Sequence, residues 1–165
     1  MYDSILLPTD GSQRMNAVVE QAVGLASLCD ARLHVLHVVD ERAYLSVPDD
    51  ARDRVRETLT EDGNAATKSA AERAVERDLE VVRELRWGDP AAAILSYAVE
   101  NGVDVIVMGT HGRSGYERYL LGSVAERVVR TAPIPVLTVA VGDTEEQTAA
   151  ILGTRVEELL RDESA

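Results

Sequence analysis

Five short apolar runs punctuate the chain, and helical patterns or helix-starting signals separate them. The runs are Ser4–Thr9 (S-I-L-L-P-T), Arg32–Val39, Leu79–Arg86, Val103–Met108 and Ile134–Val141. Strands that alternate with helices are joined by right-handed crossovers, so they build a parallel sheet with helices on both faces. Leu79–Arg86 mixes Val81 and Val82 with charges, and Pro135 interrupts the last run. Both features mark edge strands, where a missing ladder bond or a charge is tolerated.

The intervening stretches read as helices with recognisable ends. Asp10-Gly11-Ser12 makes a turn with Ser12 as N-cap, and Met15, Val18, Val19, Ala22, Val23 and Ala26 then recur at helical spacing to about Cys29-Asp30. Residues 40–50 form a polar connection containing Pro48, and residues 49–78 are charged and alanine-rich. That composition favours helix. Asp62-Gly63-Asn64 is expected to kink or break it into two. Asp89 caps the next helix with Pro90 at its first position, and Asn101-Gly102 ends it. A helix from Ser123 stops at Thr131-Ala132-Pro133. A final helix is expected over Asp143–Arg161, opened by a Thr144/Gln147 capping box and striped by Leu152, Val156, Leu159 and Leu160. The chain thus divides into one domain, 1–141, and an amphipathic extension, 142–165.

Composition removes several function classes. The net charge is −12, with 29 acidic against 17 basic residues, and such a surface repels nucleic-acid phosphates. Lys68 is the only lysine. A GC-rich genome is one source of arginine in place of lysine; the acidic, lysine-poor balance also suits a salt-adapted protein whose self-repulsion is screened in molar salt. No apolar run approaches the roughly 20 residues of a membrane span. The N-terminus lacks the basic and apolar regions of a signal peptide, and one cysteine forms no internal disulfide, so a cytoplasmic location is expected. His34 and His37 stand on opposite faces of a strand, and three histidines with one cysteine give no zinc cluster.

The chemistry concentrates in Met108–Val124 (M-G-T-H-G-R-S-G-Y-E-R-Y-L-L-G-S-V), where a strand, a glycine-rich loop and a helix start follow one another. Glycines admit a close approach, and free N–H groups at a helix start attract an anion. A 3-2-1-4-5 strand order sets the ends of strands 1 and 4, carrying Asp10 and Gly109, beside the crevice where ligands of open parallel sheets bind. The loop has neither a Walker Gly-Lys-Ser/Thr nor a G-x-G-x-x-G pattern.

The spacing Gly109-x2-Gly112-x9-Gly122-Ser123, with Pro8-Thr9-Asp10-Gly11-Ser12 and Pro133-Ile134-Pro135-Val136, resembles the universal stress protein family in its ATP-binding branch. The resemblance covers about Met1 to Ala140. It implies an open five-stranded parallel sheet in the order 3-2-1-4-5, a homodimer through the last strand (Ile134–Ala140), and bound ATP with Mg²⁺. Pro8, Thr9 and Asp10 would face the adenosine, and Val38 the adenine. Met108 and Gly109 would border the ribose; Gly112, Gly122, Ser123 and the adjoining Val124 would meet the phosphates. His111 and Arg113 match variable loop positions. The final helix departs from the shorter family pattern; it covers the sheet edge, packs across a dimer or caps the core.

Three functions are compatible with these residues: a nucleotide-dependent stress-response regulator, a slow Mg²⁺-dependent ATP hydrolase or phosphotransferase, and a dimeric scaffold without nucleotide. Hydrolysis calls for a group that orients water and for cations that offset developing charge. His111 and Arg113 are the candidates, Asp10 a weaker one, and no lysine is at hand.

Overall fold

A computed structural model describes residues 1–111 and 121–141. The strands are β1 (Ser4–Pro8), β2 (Arg32–Asp40), β3 (Val81–Gly88), β4 (Val105–Gly109) and β5 (Val136–Val139). The helices are α1 (Asn16–Cys29), α2 (Glu41–Leu45), α3 (Arg52–Val75), α4 (Pro90–Glu100) and α5 (Ser123–Thr131). All strand pairs are parallel, and the order is β3-β2-β1-β4-β5. Both expected edge strands are edges. Pro135 stands just before β5, where its carbonyl accepts from Ile106 N at 3.0 Å.

The central strands are largely buried because helices cover both faces. Ile5, Leu7, Leu33, Val35, Val105 and Val107 form one core with α1 and α3. Leu6, Leu36, Ile106 and Met108 form the other with α4 and α5. Alternation along each strand assigns the residues to these two layers. The same alternation separates the histidines. His34 lies beneath α4, its Nδ1 sharing a 2.8 Å hydrogen bond with the Tyr97 hydroxyl; His37 packs toward Gly63 of α3. Burial, then the neighbouring Arg32, lowers the His34 pKa against the opposing pull of Glu80.

Four local features differ from the sequence expectations. α3 runs unbroken for 24 residues. Gly63 is buried inside it because a Cβ there would press on Leu85 and come within 2.7 Å of His37 Cδ2. The glycine therefore serves close packing of helix on sheet, not a break. The polar connection contains the short α2, whose N-terminus Asp40 caps through Arg42 N at 3.0 Å. Ser12 precedes a 3-10 turn (Gln13–Met15) that leads into α1, and its side chain makes no capping bond. Asp10 Oδ1 takes the Ser12 N–H at 2.8 Å instead. The fifth strand is four residues long, shorter than the Ile134–Val141 run. Asp89 does cap α4, accepting from Ala92 N at 2.9 Å. The extension 142–165 lies outside the described residues.

Candidate functional site

The C-terminal ends of β1, β2 and β4 open into one cavity of about 460 Å³. That volume falls in the usual range for small-molecule sites. Three chain segments build it.

The first is the turn after β1. Thr9 N donates to Leu36 O at 2.9 Å, and His37 Nδ1 donates to Thr9 O at 2.8 Å. β2 thus grips Thr9 from both sides. Beyond it, Gly11 N donates to Thr9 Oγ1 at 3.2 Å. Gly11 has φ +75°, and a Cβ there would lie 2.6 Å from Ala66 Cβ of α3. Only glycine suits this left-handed, crowded position. The turn therefore leaves Pro8, Thr9 and Asp10 lining the cavity.

The second segment is the end of β2. Val38 lines the cavity with Leu36, and Pro90 and Ile94 of α4 close the apolar wall. At the rim, Arg42 Nε and Nη2 reach the two oxygens of Asp40 at 3.1 and 2.8 Å. The Arg42 hydrogen bond holds the Asp40 carboxyl below its ordinary pKa.

The third is the end of β4 and the start of α5. Met108, Gly109 and His111 line the cavity from β4, and Gly122, Ser123 and Val124 from α5. Thr110 joins them: its N–H donates to Val139 O at 3.0 Å, and its carbonyl accepts from Gly122 N at 2.7 Å. Its hydroxyl oxygen accepts from Val141 N at 3.3 Å and lies 3.1 Å from His111 Nδ1. No side chain caps α5. Its first-turn N–H groups therefore suit an anion in the cavity.

Of the residues singled out in the sequence, Pro8, Thr9, Asp10, Val38, Met108, Gly109, His111, Gly122, Ser123 and Val124 meet in this space. Gly112 and Arg113 lie outside the described residues. Met15, Leu36, His37, Asp40, Arg42, Pro90, Ile94 and Ala125 also line the cavity and were missed. Their only sequence signal is position: Ala125 stands in the first turn of α5, and each of the others falls within a turn or two of a strand end.

A family model described as the universal stress protein family matches residues 1–140. The chain belongs to the universal stress protein family. Universal stress protein MJ0531 of Methanocaldococcus jannaschii is 38% identical over 140 residues, covering 84% of this chain and 82% of its own length. Among solved structures, hypothetical protein MJ0577 superposes with a TM-score of 0.78 at 30% identity, covering 87% of this chain and 99% of that one. A universal stress protein solved in complex with cAMP matches at 25% identity and TM-score 0.63, covering 86% and 98%. The sheet order and the flanking helices are those the family resemblance implied.

Among the described residues, no group of three or more His, Cys, Asp or Glu side chains could hold a metal ion, and no helix is long and apolar enough to cross a membrane.

Proposed function

We propose that this universal stress protein binds ATP in the β1–β2–β4 cavity and uses occupancy to regulate dimer and partner contacts in a cytoplasmic stress response. The observation that carries the reading is the joining of an apolar slot to an uncapped helix start within one cavity. Leu36, Val38 and Ile94 offer a flat base an apolar bed, and Ser123 and Val124 offer N–H groups to phosphate. The neighbour solved with cAMP supports an adenine nucleotide as the ligand class.

The residues also fit a nucleotide-borne Mg²⁺. Asp10 is a carboxylate on the cavity wall, and a metal held chiefly by phosphate oxygens needs few protein ligands. Such an ion would neutralise phosphate charge. The chain's own residues would hold the nucleotide: Thr9 and Asp10 through their fixed turn, Gly122 by admitting a close approach, and Ser123 through its N–H and hydroxyl.

Holding suits this cavity better than hydrolysis. Arg42, the cationic side chain on its described wall, has its guanidinium engaged by Asp40. His111 shares its Nδ1 with Thr110. The exposed β5 edge supports a homodimer through Ile134–Ala140. The charge of −12 supports a protein that folds best in molar salt, checked by its Tm between low and molar KCl.

Acid-quenching the purified protein and analysing the released nucleotide tests the main reading. Bound ATP that survives hours with Mg²⁺ is expected. Steady turnover lost in Arg113→Ala would favour the hydrolase. Absence of nucleotide, with no thermal shift on adding ATP, would leave a scaffold.

A further inference from the structure

The two helical layers cover the sheet unequally. On one face, α1 lies over β1 and β4 and touches β5 at its edge, and α3 lies over β2 and β3. The flank of α1 that meets α3 is fixed by ion pairs: Arg73 and Arg77 reach Glu20 at 3.2 and 2.9 Å, and Arg73 reaches Asn16 at 3.0 Å. Leu25 stands about 140° round the helix from Glu20, on the opposite flank. There it is only partly buried, beside Cys29, while Leu28 at the rim is 87% exposed.

Across from that flank is β5. Val139 packs toward this same core, and Leu137, two residues earlier, shares its face and is 42% exposed. Leu25, Cys29, Leu137 and Val139 therefore flank an apolar trough that, among the described helices, only the edge of α1 reaches. Val141 decides where the following chain goes. It is 6% exposed, belongs to the same core, and its Cγ2 lies where a Cβ on Gly109 would touch it at 2.7 Å. The chain thus leaves β5 at the top of the trough and on its side of the sheet.

We propose that Asp143–Arg161 docks in this trough as a third helix of the α1–α3 layer. As a helix its 19 residues would span about 28 Å, longer than the roughly 21 Å of α1 beside it. Leu152 comes nine residues into the segment, and Leu25 comes nine residues into α1. Leu152 and Val156 thus fall at the depths of Leu25 and Cys29, across from Leu137, and Leu159 and Leu160 lie just beyond the end of α1. The stripe's period puts all four on one face; Glu145, two turns before Leu152, shares that face at the start of the segment, and Asp143, Glu146, Glu157 and Glu158 fall elsewhere. The segment leaves the hydrogen-bonding edge of β5 open, so this docking is independent of the nucleotide reading and compatible with a β5 dimer.

A mutant cycle in molar KCl tests it. Leu137→Gln and Val156→Gln should each lower Tm by about 3–6 °C, and the double variant should fall no further than the larger single. Additive losses would overturn the proposal, as would a Leu137→Gln loss that persists undiminished in a chain ending at Gly142. Cysteine pairing locates the segment. With Cys29→Ser, a chain carrying both Leu137→Cys and Val156→Cys should close a disulfide within itself. Cross-linking only between chains, seen on mixing the two single variants, would place the segment on a second copy and overturn the proposal.

Discussion

Gly24 and Gly63 are both interior helix glycines, and the same substitution should move stability in opposite directions at the two. Alanine replaces a helical glycine with a gain of about 0.8–1 kcal/mol when nothing else changes. At Gly24 nothing lies within 4 Å of the new Cβ. Gly24→Ala should therefore stabilise by about that amount, a Tm rise of roughly 2–4 °C for a chain of this size. At Gly63 the new Cβ would press on Leu85 and sit 2.7 Å from His37 Cδ2. Those neighbours are side chains on β3 and β2, so they yield, but inserting a methyl into a filled core costs about 1–3 kcal/mol. The net expectation for Gly63→Ala is no gain, or a loss of up to about 2 kcal/mol.

The Gly63 variant also reaches the site. Displacing His37 strains its 2.8 Å bond to the Thr9 carbonyl, which steadies the turn before Asp10. Loss of one such bond is worth about 1 kcal/mol, so ATP affinity should fall roughly fivefold. Urea unfolding of both variants in molar KCl, paired with ATP titration, measures each term. If Gly63→Ala stabilises as much as Gly24→Ala, close packing is not why a glycine stands there. If it destabilises without weakening ATP, His37 does not position the turn.

The remaining expectations are briefer. Burial lowers the His34 pKa, so the unfolded chain binds the proton more tightly. The histidine's contribution is then complete above pH 6.5, its ordinary value, and is lost as pH falls through 6.5 toward the folded value. Unfolding free energies at pH 7.5 and 5.5 should show this loss in the wild type and a smaller one in His34→Phe. Gly122→Val puts a branched side chain at the start of α5 and should abolish ATP binding; unchanged affinity by calorimetry would remove the site assignment. Asp89→Ala removes the cap on Ala92 N and the 2.7 Å contact with Arg127. It should destabilise by about 1 kcal/mol in chemical unfolding, nearly all from the cap, because the ion pair is exposed.

The fold was legible because its signals are local and repeated. Each buried strand is a short apolar run, and Asp89-Pro90 and Asn101-Gly102 mark helix ends with residues whose backbone chemistry admits few alternatives. Gly63 misled for the opposite reason. Glycine inside a helix pattern signals weakness locally, and only the distant His37 and Leu85 reveal that the position needs an absent side chain. Ser12 misled similarly. Three residues of 3-10 turn intervene before α1, and Asp10 claims the N–H that a cap model assigns elsewhere.

The site divides along the same line. Asp10, Gly109 and Gly122-Ser123 were readable because strand ends and helix starts fix where they must stand. Thr110 and His37 were not, because each acts by holding a neighbour's backbone. Thr110 ties β5 and α5 to the end of β4, and His37 ties the β1 turn to β2. The two halves of the cavity thus hang from adjacent central strands, β1 and β4, paired through Ile5–Val105 and Leu6–Ile106. A ligand spanning both halves would brace these supports against each other. Regulation by occupancy then has a physical route: the Thr110 N–H bond to Val139 carries any shift at the α5 start directly to β5, the strand on the exposed edge.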